Sequence, residues 1–182
     1  ARAVAIREDG QIVVAGSATA TGGFLDEDFA VAQYNTNGTL DASFGEAGKV
    51  TTNLGLGKPQ SDLGSVSAAQ ADGKIEVAGT TEESFFALSR RNPDGNTDTT
   101  IGNDGRVIST FLSDAKATPA SVLIQDDGKI VMVGTSNRPP IFIGHPNSLS
   151  VVVNRFNSDG SPDTTFDSDG RVSQFLGSGI GG

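Results

Sequence analysis

Asp127-Gly128-Lys129-Ile130-Val131-Met132-Val133-Gly134 is an Asp-Gly turn that opens directly into an apolar run. The same arrangement stands at Asp72-Gly73-Lys74-Ile75-Glu76-Val77-Ala78-Gly79 and at Asp9-Gly10-Gln11-Ile12-Val13-Val14-Ala15-Gly16. Each copy follows an alternating run such as Val4-Ala5-Ile6 or Val122-Leu123-Ile124. Two extended runs joined by a short Asp-Gly connection predict a β-hairpin, with glycine taking the positive φ that a side chain resists. Recurrence at intervals of about 60 residues makes internal repetition the first property of the chain.

The residues beyond the hairpin repeat as well. Phe29-Ala30-Val31-Ala32-Gln33-Tyr34 corresponds to Phe86-Ala87-Leu88-Ser89-Arg90-Arg91 and to Val151-Val152-Val153-Asn154-Arg155-Phe156. An Asn-x-(Asn/Asp)-Gly-x-x-Asp segment follows: Asn35, Asn37, Gly38 and Asp41; Asn92, Asp94, Gly95 and Asp98; Asn157, Asp159, Gly160 and Asp163. Phe44, Ile101 or Phe166 comes next, then Gly48, Gly105 or Gly170, then Lys49-Val50, Arg106-Val107 or Arg171-Val172. Length varies mainly between the second and third strands, at 17–28, 80–84 and 135–150, so these connections are expected to project from one rim.

Each unit thus offers four strands, the second apolar on both faces and the fourth more polar. This predicts an all-β fold of tandem four-stranded antiparallel blades, a β-propeller or partial propeller. An open β-solenoid is the alternative. The chain reads as one repeat array with units at about 1–57, 58–115 and 116–182. Three blades fall short of the roughly four to eight that close a propeller ring. Other protein chains, or further repeats of the same chain, are therefore the expected partners, within an oligomer or larger assembly.

The segments Asp-Gly-Lys-Ile, Phe-Ala-(Leu/Val) and Asp-Gly-x-x-Asp, with the Gly-(Lys/Arg)-Val that follows, resemble the delta-60 repeat family over nearly the whole chain. The resemblance implies tandem repeats of a large exported bacterial protein, with no general activity or catalytic residue set to transfer. Ile101 where Phe is usual, Asp167 and Asp169 beside the third motif, and Glu76 within the second strand depart from the pattern.

Composition sets limits on function. The 24 Gly and 7 Pro residues suit many strands and tight turns. A net charge of −9 argues against nonspecific binding to nucleic acid or to an anionic membrane. Cysteine is absent, which removes disulfides and thiolate metal sites and fits an exported protein. No run approaches the roughly 20 apolar residues of a membrane-spanning helix, so membrane insertion is not expected. Ala1 opens on a strand-like run, which reads as a processed chain or part of a longer one.

The candidate chemistry is concentrated in the turns. Asn92, Asp94 and Asp98, and likewise Asn157, Asp159 and Asp163, are candidate calcium ligands, because calcium takes about six to eight oxygens. Their segment resembles the end of the calcium loops of integrin-like propellers. Arg90 and Arg155, however, stand where the first ligand would be, and a fixed positive charge opposes a bound cation. The favoured reading is a structural Asx turn with no cofactor, in which these arginines pair with Asp98 and Asp163 or a neighbour. His145 is the single histidine and lacks the partners of a triad or a zinc site. Asp26, Glu27 and Asp28, Glu82 and Glu83, and Asp126 and Asp127 read as solvated loop or turn acids rather than a glycosidase pair. Phe24 and Leu25, with Pro139, Pro140, Ile141 and Phe142, place apolar side chains in loops and are candidate partner-binding residues.

The expectation is therefore a noncatalytic repeat scaffold at the bacterial cell surface or outside the cell, mediating attachment or protein–protein assembly. A ligand- or glycan-binding propeller is one alternative, weakened by the absence of Trp and the single Tyr. A non-catalytic fragment of a larger propeller enzyme is the other.

Overall fold

The computed structural model describes residues 1–19, 27–54, 63–81, 85–109, 116–138 and 148–178. Among them are twelve strands and no helix. Blade 1 holds β1 (Ala3–Ile6), β2 (Ile12–Thr19), β3 (Glu27–Tyr34) and β4 (Lys49–Thr52). Blade 2 holds β5 (Leu63–Ala69), β6 (Ile75–Thr80), β7 (Phe86–Arg91) and β8 (Arg106–Ser109). Blade 3 holds β9 (Lys116–Ile124), β10 (Ile130–Arg138), β11 (Ser148–Phe156) and β12 (Arg171–Ser178). Every sheet is an antiparallel meander whose strands lie in chain order.

The Asp-Gly turns set the first hairpin of each blade. Gly10, Gly73 and Gly128 take φ of 82°, 83° and 78°, the left-handed region that glycine enters without steric cost. The neighbouring carboxylate holds the turn from the side. Asp9 accepts the Gln11 N–H at 3.0 Å, and Asp72 and Asp127 accept those of Lys74 and Lys129 at 3.1 Å. These bonds fix the register Ile6↔Ile12, Ala69↔Ile75 and Ile124↔Ile130.

That register decides which side chains reach which neighbour. Ile75 and Val77 point from β6 toward blade 1, where they meet Val13, Ala15, Phe29 and Val31 in one buried cluster. Ala78, one step out of phase, points the other way and joins Phe86 and Leu88 against Val122, Ile130 and Met132 of blade 3. The two hydrophobic cores are thus the two blade–blade junctions. Blade 2 is covered on both faces, which is why β7 is buried along its full length. Phe44 and Ile101, at one repeat position, are both fully buried in these junctions. Ile in place of Phe therefore still fills the junction.

The strands on both sides of the variable connections run further than the sequence indicates: β2 to Thr19, β3 from Glu27, β10 to Arg138 and β11 from Ser148. Glu27 and Asp28 are not loop acids: they pair with Thr19 and Ala18 as the start of β3. The Ser17 hydroxyl donates to Glu27 at 2.9 Å across the same strand pair, which satisfies the carboxylate on the sheet. Ser136, Asn137 and Arg138 similarly extend β10 along β11.

Candidate functional site

The most repeated chemistry of the chain lies at the turn end of each blade. Asp41, Asp98 and Asp163 are buried there, each close to the residue after the Asp-Gly turn and to a long polar residue of the third strand. One oxygen of each aspartate faces the strands. The Asp98 oxygen Oδ2 lies 2.7 Å from Arg90 Nε and 3.1 Å from Lys74 Nζ. Asp163 Oδ2 lies 2.7 Å from Arg155 Nε and 3.3 Å from Lys129 Nζ. In blade 1 the same oxygen of Asp41 accepts from the amides of Gln33 and Gln11, both at 2.9 Å.

The other oxygen holds the chain that follows. Asp41 Oδ1 accepts the N–H and hydroxyl of Ser43 at 3.0 and 2.6 Å. Asp98 does the same with Thr100 and Asp163 with Thr165. One carboxylate therefore joins the first hairpin, the third strand and the returning loop. The donors explain its acidity. The Ser43 hydroxyl, the Gln33 amide and the Ser43 N–H hold Asp41 at about 2. Burial pushes Asp98 upward, but the Thr100 hydroxyl and N–H, with Lys74 and Arg90, outweigh it and keep the group well below the usual carboxylate range. The Thr165 hydroxyl leads the donors that hold Asp163 low.

Replacing Asp98 with alanine leaves Arg90, a buried cation, without its closest counter-charge. The expected loss is about 3 kcal/mol, read as a lower midpoint in urea unfolding, because breaking a buried pair from one side costs more than the pair contributes. A loss below about 1 kcal/mol would show that the aspartate does not brace the blade.

The candidate calcium ligands are divided among separate turn and strand contacts. Asp94 accepts the N–H and side-chain amide of Asn96 at 2.9 and 2.8 Å, and Asp159 accepts the N–H and hydroxyl of Ser161 at 2.9 and 2.6 Å. Asn92 and Asn157 close their turns by accepting the N–H of Gly95 and Gly160 through their backbone carbonyls. Both oxygens of Asp98 and of Asp163 are already engaged as described above. A cation entering there would have to displace an arginine and a lysine. Among the described residues, no group of three acidic or histidine side chains is placed to hold a metal. Phe24, Leu25, Pro139, Pro140, Ile141 and Phe142, together with Asp26, Glu82, Glu83 and His145, lie outside the described residues.

The turns also connect the blades. The backbone carbonyl of Asp94 accepts the Gly45 N–H of blade 1 at 2.8 Å, and that of Asp159 accepts the Gly102 N–H of blade 2 at 2.7 Å. Arg90 adds a bond from Nη1 to the Ser158 carbonyl at 2.7 Å. Around it, a cleft of about 670 Å³ opens between blades 2 and 3, lined by Gln70, Asp72, Lys74, Asp126 and Asp159 among others. Beneath Arg90 lies Glu76, fully buried. Its Oε1 accepts from Gln70 at 3.2 Å and is 3.7 Å from Arg90 Nη1, while Oε2 has no hydrogen-bond partner. Burial pushes this carboxyl up to about 7 despite the arginine.

Sequence reasoning singled out Asp98 and Asp163 but missed Lys74, Lys129, Gln11 and Gln33. The signal was internal covariation. Blades 2 and 3 carry Lys and Arg at the two positions where blade 1 carries Gln and Gln, while the aspartate and the following hydroxyl stay the same type.

Comparison with known families agrees with this geometry. The model of a domain of unknown function, DUF5122, described as a β-propeller, matches residues 7–44, 70–100 and 147–166. Each matched segment falls in a different blade and includes its Asx turn. The chain is an all-β protein built of β-propeller repeats. No curated protein matches it.

Proposed function

We propose that the chain is part of a noncatalytic repeat scaffold, of the delta-60 kind, in an exported bacterial protein that works through attachment or protein–protein assembly. One observation carries this reading. The polar side chains that recur in every blade are spent on bracing that blade or bonding it to the next. Asp41, Asp98 and Asp163 have both oxygens engaged inside the protein, and the cations beside them are held in those same contacts. A catalytic set needs groups aimed at a substrate. The net charge of −9 and the absence of cysteine support an exported setting over a nucleic-acid partner.

The test is a panel of hydrolase and lyase substrates, with a glycan array, applied to the purified chain. The expected result is neither turnover nor saturable glycan binding. Turnover that disappears in Asp98→Asn, with the thermal transition unmoved, would replace the scaffold with an enzyme. Saturable glycan binding would replace it with a lectin-like propeller.

A further inference from the structure

We propose that the cleft between blades 2 and 3 is a binding site for a guanidinium group, the head of an arginine side chain or of a small arginine-like cation. This goes beyond the scaffold reading and does not depend on it. A comparison of the two internal junctions carries it.

In the junction of blades 1 and 2 the chain fills this place with its own guanidinium. Arg7 follows β1, and its side chain is only 11% exposed. Nη1 donates to Gln33 Oε1 at 3.0 Å, and Nη2 lies 3.8 Å from Asp9 Oδ2. The same Nη2 reaches the Asp-Gly turn of blade 2, where a Cβ on Gly73 would stand 2.6 Å from it.

The repeat counterpart of Arg7 in blade 2 is Gln70, which is shorter and neutral. Its amide donates to Glu76 Oε1 at 3.2 Å, within its own blade. Arg90 crosses from β7 to the Ser158 carbonyl but leaves the facing turn uncovered. A Cβ on Gly128, the counterpart of Gly73, would meet Ser158 Cβ at 3.5 Å and nothing else within 4 Å among the described residues. The cleft of about 670 Å³ opens at this place. That volume falls in the range of about 300–1,000 Å³ typical of small-ligand sites.

The walls suit a cation. Asp72, Asp126 and Asp159 line the cleft with Lys74 and Arg90. Both of those cations are engaged at Asp98 Oδ2, at 3.1 and 2.7 Å. Glu76 stands behind Gln70 and Arg90, fully buried, and its Oε2 has no hydrogen-bond partner. Buried polar atoms are ordinarily paired, so this oxygen is an acceptor in need of a donor. In the bound state Gln70 gives way and the guanidinium donates to Glu76, its planar fork matching the carboxylate. Asp126 and Asp159, both exposed, add negative charge from blade 3. Ile124 offers an apolar wall to the methylene stem.

The experiment is a two-dimensional amide NMR titration of the purified chain at pH 8 with Nα-acetyl-arginine amide. The expected result is saturable shifts centred on Gln70 and Gly128, with a dissociation constant of about 1 mM. The citrulline compound, which keeps the shape without the charge, and the lysine compound, which keeps the charge without the fork, should not saturate. Gln70→Arg places a guanidinium at the position of Arg7 and should weaken binding at least about tenfold. Its unfolding midpoint, at or above that of the native chain, shows that the variant is folded. Asp126→Asn, at an exposed site, should weaken binding by about threefold. Agmatine separates the two sources. Tighter binding of the arginine amide assigns the site to a partner's side chain, and tighter binding of agmatine assigns it to a small cation. Lack of saturation, shifts centred elsewhere, equal binding of the lysine compound, or native affinity in Gln70→Arg each overturns the proposal. None of these outcomes touches the scaffold reading, which falls only to turnover or saturable glycan binding.

Discussion

Gly95→Ala is expected to lower the melting temperature by about 6–15 °C, while Gly38→Ala lowers it by about 3–6 °C, at roughly 3 °C per kcal/mol. Both glycines occupy the same turn position and the same backbone, φ 87° and 83°. Alanine in that region costs roughly 1–2 kcal/mol at either site. The difference lies in what surrounds the new methyl group. At Gly95 it would stand 2.6 Å from the Gly45 nitrogen and 2.9 Å from the Gly45 Cα, both backbone atoms of blade 1. Backbone cannot swing aside, so the blades must separate, and the Gly45–Asp94 hydrogen bond stretches with them. Overpacking of this kind adds about 1–3 kcal/mol. Gly160→Ala should fall between the two, because its closest contacts are the side chains of Val107 at 2.5 Å and Ile101 at 2.8 Å, which can yield. Repeat stability is a sum of units and interfaces, so a wedge at one interface should also broaden the transition. Differential scanning calorimetry of the three variants gives the order directly. Equal losses at all three positions would mean that the turns do not couple the blades.

The blades themselves were legible because their turns are chemically explicit. Asp72-Gly73 and its copies specify both the positive φ and the carboxylate that caps it, so four strands per repeat follow from the residues. The faces were legible only in part. Ile75 and Val77 look like their neighbour Ala78 in sequence, yet they enter a different core, and only register assigns them. Gly38 and Gly95 are indistinguishable as letters, and only the packing of the Gly45 backbone against Gly95 tells them apart. The aspartates attracted attention as metal ligands because Asp98 and Asp163 sit in a loop-like motif. Their partners Lys74 and Lys129 lie before them in sequence, across the first hairpin, where no local spacing rule reaches. Glu27 and Asp28 read as loop acids because they fall in the length-variable stretch 17–28, whereas pairing with Thr19 and Ala18 makes them the start of a strand. Glu76 was noticed as an interruption, but its burial against Arg90 depended on the cross-strand pairing of those two residues.

Glu76 is expected to make the protein less stable as pH rises from 5 to 8, and Glu76→Val should abolish that fall. The side chain is fully buried, one oxygen is unpartnered, and Arg90 at 3.7 Å is drawn more closely to Asp98 at 2.7 Å. Asp72 and Asp98 add negative charge nearby, so burial prevails and the carboxyl titrates at about 7 in the folded chain against 4.5 as its ordinary value. The folded state therefore holds a proton that the unfolded state releases first, and stability drops across that interval. The difference between the two values corresponds to about 3 kcal/mol, present below pH 4.5 and lost by the time pH passes 7. The aspartates at the blade ends act in the opposite sense and lower on the scale. Asp41 titrates at about 2 when folded, so its contribution is complete above its ordinary value of 3.8 and is lost only as pH falls toward 2. Stability should thus peak in mildly acid solution, near pH 4–5. Valine is the residue that blades 1 and 3 carry at this position, Val13 and Val131, so the site accommodates its shape. Arg90 keeps Asp98 in the variant, and no buried cation is left bare. Urea unfolding at pH 5 and pH 8 measures both slopes. Parallel pH dependence in the native and Glu76→Val proteins would mean that the carboxylate stays ionised inside the junction, with Arg90 rather than burial controlling its charge.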